Sequence, residues 1–446
     1  MRILFINPPR SPHNGILEHA PAEALKYIHK KLIGPPLGLM TVATTVQKDH
    51  DIAFLEMKAE YDLHPDAPDM LSLAEAWIAR FRPQVIATTV ITSEFKMGMA
   101  ILAHAKTLDP GLITIAGGLH ATLCPDDFRG GPADYVLTQQ SSQSFPRLIA
   151  ALASGGDPGS IGGVLVQKDG LRGLPLPAAE LSATCANYIV PDRELVKPWI
   201  STYKVGGNPE PSTYLFTSQG CPYNCSFCSV WPQFNGGYFH RSVDSIISEL
   251  QGIHDYPVVR FADANTVVDV AFMDALFDRI AAEGIRKTFI MDIRFDTVVK
   301  NPKLIAKMAR GGLKVVICGF ESYRQADLER YNKSSSAALI SGAIEIFHDN
   351  GIMVRGNYVV PCDYSEADFQ GLAEYAHGHK VVYAGYTILT PMPGTPYYTE
   401  MQDQIIDHDL DKYNFFNAVL PTRLPILDFY RRVGSLWIIK QGEEVI

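Results

Sequence analysis

The sequence predicts an α/β protein in three parts: an N-terminal parallel sheet with helices on both faces, a second strand–helix series forming a partial barrel, and a short helical tail. Three observations lead there. Short apolar runs alternate with helix-like segments over residues 1–153, and again over 212–395. Between them, 154–211 is rich in Gly and Pro (GGDPGSIGG, LRGLPLPAAEL) and reads as a connector. The last residues, 396–446, lose the alternation and keep one amphipathic element. Strands that alternate with helices imply parallel pairing, because the crossover between parallel neighbours has room for a helix.

In the first series, strands are read over 2–7 (RILFIN), 52–56, 85–90 (VIATTV), 112–116 and 133–137. Helices are read over 35–46, 70–81, 95–106 and 145–152. Pro8 and Pro9 stop the first strand, and proline in the first turn opens the helix at 35. A small hairpin is placed at 164–171 within the connector. The second series has strands over 213–217, 258–262, 288–293, 314–319, 353–360 and 381–389. Its helices fall at 243–254, 271–283, 302–310, 337–350 and 366–377. Six such strands suggest a partial (β/α)6 barrel, whose chemistry sits at the strand C-terminal ends. In the tail, Ile426, Tyr430, Val433 and Trp437 share one helical face.

Hydrophobic residues make up 47% of the chain and charged residues 20%, which excludes a disordered or low-complexity protein. With 39 basic and 48 acidic side chains the formal charge is −9, so nucleic acid is not an expected partner. No uncharged apolar run approaches the roughly 18 residues of a membrane helix. The opening MRILFINPP reaches proline too early for a signal peptide. The expected location is the cytoplasm, with no transmembrane segment. Seven cysteines, three of them within eight positions, read in a reducing compartment as metal chemistry.

Those three are Cys221, Cys225 and Cys228, in SQGCPYNCSFC directly after the first strand of the second series. Three thiolates at this spacing suit three irons of a cubane and leave the fourth iron open. Structural zinc wants four closed ligands, and most iron–sulfur electron carriers also use four.

The segment resembles the CxxxCxxC signature of radical S-adenosylmethionine (SAM) enzymes. The resemblance implies that the three cysteines hold a [4Fe–4S] cluster whose fourth iron is chelated by SAM. It also implies that cluster reduction cleaves SAM to a 5′-deoxyadenosyl radical. Phe227 matches the aromatic position near the adenine. Further matches fall at successive strand ends. In RFADAN, Asp263 or Asn265 takes the place of the usual acceptor of the SAM amino group. In DIRFD, Arg294 is a partner for the SAM carboxylate, and in GFES, Glu321 faces the ribose hydroxyls. The segment TPMPGTP at 390–396 resembles a turn that follows the sixth strand.

The N-terminal half is similar to the Rossmann-like (flavodoxin-like) cobalamin-binding domains of one branch of these enzymes, the B12-dependent radical SAM methylases. The matching segments are Asn7-Pro8-Pro9, PPLGL at 35–39 and GGLHAT at 117–122. The resemblance implies cobalamin contacts from Pro8, Pro9, Leu37, Gly38, Thr92, Ser93, Gly117, Gly118, His120, Thr122, Gln139 and Gln140. Small residues at a strand end let a large ring or nucleotide tail approach the backbone. Two departures stand out. The Asp-x-His-x-x-Gly motif whose His ligates cobalt is absent, its near miss being Asp62-Leu-His64. The loop at 138–144 reads TQQSSQS where relatives often carry Gly-Glu-Gly-Glu.

These matches imply a cobalamin-dependent enzyme that cleaves SAM reductively and transfers a methyl group to an unactivated carbon. The alternatives are a cyclase or rearrangement enzyme with the same cofactors, or a cobalamin-free radical SAM enzyme with a degenerate first domain. A tRNA methylthiotransferase needs three further cysteines in the N-terminal domain, where only Cys124 stands. The implied partners are an external one-electron reductant of flavodoxin or ferredoxin type and a small-molecule substrate. The tail resembles those of members acting on polycyclic lipids, which points to an apolar one.

Overall fold

The computed structural model describes the chain except for residues 29–33, 206–207, 334, 380, 382–383 and 439–446. Two compact units result. The first comprises 1–12, 33–211 and 232–239; the second comprises 13–32, 212–231 and 240–446.

Among the described residues, the first unit builds a seven-stranded sheet from β1 (Arg2–Asn7), β2 (Asp51–Glu56), β3 (Val85–Thr89), β4 (Ile113–Gly117), β5 (Tyr135–Leu137), β6 (Val164–Val166) and β7 (Arg172–Gly173), in the order β2-β1-β3-β4-β5-β6-β7. Pairing is parallel through β5 and antiparallel beyond it. The first five strands thus follow the 2-1-3-4-5 order of flavodoxin-like sheets. Side chains alternate between two cores, as a sheet covered on both faces requires. Ile3 and Phe5 pack on one face with Phe145 and Leu148, and Leu4 and Ile6 on the other with Ile101 and Leu102.

The hairpin expected at 164–171 is present as β6 and β7, and it extends this sheet. Residues 193–202 coil as tight helical turns. They carry Val196 and Trp199, with Tyr203 beyond, into the first core. Trp199 Nε1 donates to Glu60 at 2.6 Å. The Gly/Pro-rich composition hid these attachments, because single anchoring residues leave no periodic pattern.

Among the described residues, the second unit curls six parallel strands into a half-barrel: β8 (Ser212–Leu215), β9 (Val258–Phe261), β10 (Thr288–Asp292), β11 (Leu313–Glu321), β12 (Met353–Val360) and β13 (Gly385–Ile388), in chain order across the sheet. Part of the strand expected over 381–389 lies outside the described residues. The helix expected over 302–310 is found as Pro302–Arg310, with its proline at the first helical position. Short helices such as Phe295–Lys300 and Gln325–Arg330 were not expected, since one or two turns give too few residues to show a period.

The tail helix Ile426–Ser435 has Tyr430, Val433 and, just beyond it, Trp437 buried, while Ile426 is 43% exposed. Its partner is an N-terminal segment that the sequence pattern did not reveal, the five-residue helix Gly15–His19. Gly15 N–H donates to Asn417 Oδ1 at 2.8 Å, and a Cβ at Gly15 would meet the Tyr430 ring at 2.5 Å.

Gly118 sits at φ 103°, where a Cβ would lie 2.6 Å from Thr89 Oγ1 and 2.7 Å from the Val90 carbonyl oxygen. Its small size is therefore required by this chain's own backbone. A Gly118→Ala substitution should lower stability by about 2–4 kcal/mol. Gly38→Ala, whose new Cβ meets nothing within 4 Å, should cost less than about 1 kcal/mol. Urea unfolding of the two variants side by side checks this.

Candidate active site

The cysteine loop follows β8 and is held from several directions. Asp263, beyond β9, accepts from the Thr217 and Ser218 backbone N–H groups, each at 2.8 Å, and from Thr217 Oγ1 at 2.5 Å. Ser226 N–H donates to the Tyr331 carbonyl at 2.9 Å, and Tyr397 N–H donates to the Ser226 carbonyl at 3.0 Å. Trp231 Nε1 donates to the Cys225 carbonyl at 3.0 Å. Tyr397 opens the helix Pro396–Met401, capped by Thr395, so the 390–396 turn docks onto the loop.

Within this frame Cys225 is buried and Cys221 and Cys228 are half-buried, all three as free thiols. The three feel one another's charge. Burial pushes the Cys228 thiol up to about 11 and raises Cys225 as well, against the pull of the Lys333 ammonium. Cys225 and Cys228 are thus held as neutral thiols, and a cation arriving there displaces their protons. The donor set, three cysteines on one short loop tied to neighbouring strands, fits an iron–sulfur cluster held at three corners.

The residues expected around SAM meet different fates. Asp263 spends its carboxylate on the loop, and burial pushes it up to about 6 despite those hydrogen bonds. Asn265 is 2% exposed, yet neither of its amide atoms has a partner among the described residues. An unpaired buried amide costs about 1–3 kcal/mol unless something arrives to satisfy it. Of the two alternatives read in RFADAN, Asn265 is the one available to a ligand. Arg294 pairs with Asp296 at 3.0 Å and lies 3.8 Å over the Tyr223 ring, inside the cysteine loop. Phe227 meets Tyr331 edge-on at 5.6 Å.

Glu321 ends β11 at φ 60°, beside a register shift against β12. Its Oε1 accepts from the buried Lys333 ammonium at 2.7 Å. A Cβ at Gly319 would meet that same oxygen, so the glycine makes room for the pair. Lys333 was missed in the sequence. It lies twelve residues beyond Glu321 in a loop, and only the fold brings the two together.

In the first unit, the C-terminal ends of β1, β3 and β4 form the rim where sheets of this order bind ligands. Pro8 and Pro9 follow β1, and Thr92 and Ser93 form a buried turn after β3. Gly117 and Gly118 end β4, Leu37 is buried and Gly38 exposed. Thr122 Oγ1 donates to the Gly118 carbonyl and accepts from Gln139 N–H at 2.8 Å. Gln139 sits at φ 59°, and its Oε1 is buried without a partner among the described residues, as is Ser144 Oγ. Gln140 precedes the helix Ser141–Ser154. These orphaned groups, one in the loop after β5 and one in the first turn of the helix that follows, fit a polar nucleotide tail.

His120 does not sit at the surface of this rim. It is wholly buried between Phe95 and Phe128, with Nε2 at 3.0 Å from Asp127 and Nδ1 at 3.3 Å from Thr92 Oγ1. Its ring braces the loop from beneath. Sequence reading also missed a buried polar set. Glu56 accepts from Asn7 Nδ2 at 2.5 Å, and Lys58 pairs with Glu94 at 2.6 Å. Burial pushes Glu56 up to about 7.

The first unit is thus a flavodoxin-order sheet with unpaired polar groups at its rim, and the second a half-barrel with three cysteines beyond its first strand. Family comparisons agree. Residues 215–376 match the radical SAM superfamily and residues 28–149 match the B12 binding domain. The chain thus carries a B12-binding domain followed by a radical SAM domain, and it is similar to B12-binding radical SAM methylases, whose cofactors are a [4Fe–4S] cluster, SAM and cobalamin.

Among curated relatives, it is 27% identical to hopanoid C-3 methylase of Methylococcus capsulatus over 405 residues, 89% of this chain and 74% of that protein. It is 24% identical to bacteriochlorophyllide d C-12(1)-methyltransferase of Chlorobaculum tepidum, over 86% of this chain and 77% of that one. It is 23% identical to anaerobic magnesium-protoporphyrin IX monomethyl ester cyclase of Rubrivivax gelatinosus, over 77% of this chain and 63% of that one. The radical SAM methyltransferase TsrM of Kitasatospora setae shares the fold with a TM-score of 0.69 and 15% identity, over 90% of this chain and 75% of that one. The cobalamin-dependent radical enzyme OxsB superposes with a TM-score of 0.69 and 13% identity, over 94% of this chain and 64% of that one.

Glu56 carries a pH signature. Its folded pKa lies above the ordinary carboxylate value, so between about pH 4.5 and 7 the folded state holds a proton that the unfolded state has lost. That contribution to stability falls as pH rises through this window. A Glu56→Gln variant should lose the fall, which unfolding curves at pH 5 and pH 7.5 would register.

Proposed function

We propose that this enzyme transfers a methyl group to an unactivated carbon of a small-molecule substrate, with the residues above in stated roles. What carries the reading is the presence, in one chain, of a three-sulfur loop beside an unpaired buried amide and a rim of unpaired polar groups on a flavodoxin-order sheet. When bound, the cluster and SAM supply a radical that removes a hydrogen atom, and cobalamin supplies the methyl group.

Cys221, Cys225 and Cys228 hold the cluster. Asn265 accepts from the SAM amino group, while Asp263 fixes the loop that presents the cysteines. Arg294 is the partner of the SAM carboxylate, Glu321 takes the ribose hydroxyls, and Phe227 lies against the adenine. Lys333 orients the Glu321 carboxylate. In the first unit, Pro8, Pro9, Leu37, Gly38, Thr92, Ser93, Gly117, Gly118 and Thr122 shape the cobalamin surface, and Gln139 and Gln140 bind its nucleotide tail. His120 holds the Gly118 loop in place and does not reach cobalt. A flavodoxin- or ferredoxin-type protein delivers the electron, and the reaction belongs in the reducing cytoplasm. Among the described residues no helix is long and apolar enough to cross a membrane.

The cyclase among the relatives favours a second reading, ring formation with the same cofactors. SAM carrying a deuterated methyl group separates the two. One labelled methyl in product per 5′-deoxyadenosine is the expected result; altered product without label establishes ring formation instead. Iron and sulfide analysis of the anaerobically reconstituted protein should give about four irons per chain. Cys225→Ala should lose the cluster and the activity together. Asn265→Ala should keep the cluster and weaken SAM binding by about tenfold, the worth of one buried hydrogen bond.

A further inference from the structure

We propose that the concave face of the half-barrel binds an anionic group of the substrate, a carboxylate or phosphate, on the Arg355 guanidinium. The proposal rests on the small-molecule reading above and names the chemistry of that substrate.

Alternation along β12 puts Met353, Arg355, Asn357 and Val359 on one face. The opposite face carries Tyr358, which stacks with Tyr386 and packs against Phe320 in the buried outer layer. Arg355 therefore faces the hollow of the half-barrel. Register places it level with Ile317 of β11 and, through that residue, with Asp292 at the end of β10.

Asp292 is already bound. Arg260 of β9 reaches it with Nη2 at 2.8 Å and Nε at 3.2 Å. The layer thus holds two guanidinium groups and one carboxylate, leaving a surplus positive charge. Arg355 is 8% exposed and has no hydrogen bond or ion pair among the described residues. Burial and the neighbouring Arg260 pull it down only to about 10, so it remains charged at neutral pH. Asp292 attracts it across the layer, but that carboxylate already accepts from Arg260, so the Arg355 N–H groups have no acceptor of their own among the described residues, and a buried charge met so incompletely costs stability. An arriving anion removes that cost, and a planar guanidinium grips carboxylate or phosphate with two parallel hydrogen bonds.

This layer is distinct from the SAM residues. Glu321 pairs with Tyr358, three residues nearer the C-terminal rim than Arg355, a rise of about 10 Å along the strand. Val315, Ile317, Met353 and Val359 on the same concave face are apolar, so the matching ligand is amphipathic: an apolar body ending in an anion.

The test is calorimetric titration of the reconstituted holoenzyme, with SAM and without reductant, using octanoate, octyl phosphate and octanol as probes. At least one anion should bind about tenfold tighter than octanol, and comparing the two anions says which group the site prefers. Arg355→Gln should erase the preference and leave the SAM dissociation constant within about twofold, while Arg355→Lys should keep part of it. Equal binding of octanol and both anions, or binding of none, overturns the proposal. A Gln variant that loses SAM affinity also overturns it, because the guanidinium would then serve the SAM carboxylate. If Arg355→Gln fails to assemble its cluster, the Lys variant and the three probes still decide. An intact anion preference in an enzyme that transfers no labelled methyl would fault the methyl-transfer reading alone.

Discussion

A carboxylate taken out of water must be met by donors fixed in place, and Asp263 finds three of them on Thr217 and Ser218. Those residues link the end of β8 to the cysteine loop. The loop carries few regular hydrogen bonds of its own, so its shape comes from ties to other strands. Asp263 holds it from β9, Arg294 stacks under Tyr223 from beyond β10, Tyr331 grips Ser226 from beyond β11, and Tyr397 closes from beyond β13. Each barrel strand that lends a residue to the site also restrains the sulfurs. The site and its scaffold are therefore one cooperative structure. Disturbing any of these ties is felt at the cysteines before it is felt in the sheet.

Charge is distributed in the same spirit. Buried and half-buried acids occur beside bases: Glu321 with Lys333, Glu94 with Lys58, Asp292 with Arg260, and Glu249 with Arg241 inside the second unit. Such pairs add little net stability, because desolvating two ions costs about what their attraction returns. Their value is geometric. A paired buried ion has one orientation, and a cofactor surface needs orientation more than it needs strength.

Much of the fold was legible because parallel strands buried on both faces are nearly continuous apolar runs, as in RILFIN and VIATTV. The longer helices were legible from the 3.6-residue period of their apolar positions, Met70–Phe81 and Pro302–Arg310 among them. The cysteines and the strand-end residues could be found because their spacing is local. Lys333 and Arg355 could not, since each acquires meaning only from a partner, or the lack of one, on another strand. His120 was read as a cobalamin contact from its place after the Gly pair, and its burial between Phe95 and Phe128 was not legible because rings that pack together need not follow any period in the chain. The attachments of 193–203 and 13–20 escaped because they rest on a few anchoring side chains rather than a pattern.

The short helix Gly15–His19 packs on the tail helix of the second unit, although β1, just before it, lies at the heart of the first. The chain thus enters one unit, visits the other, returns, and later crosses again. Neither unit corresponds to a single stretch of gene. A fragment starting at Ser212 would leave Tyr430 and Gly434 without the surface that covers them. Recombination that exchanges one unit intact would have to move three separate pieces of coding sequence together. Interleaving of this kind binds the histories of the two units: changes on one side are inherited with the other, and a methyl-donor surface and a radical source stay matched through descent.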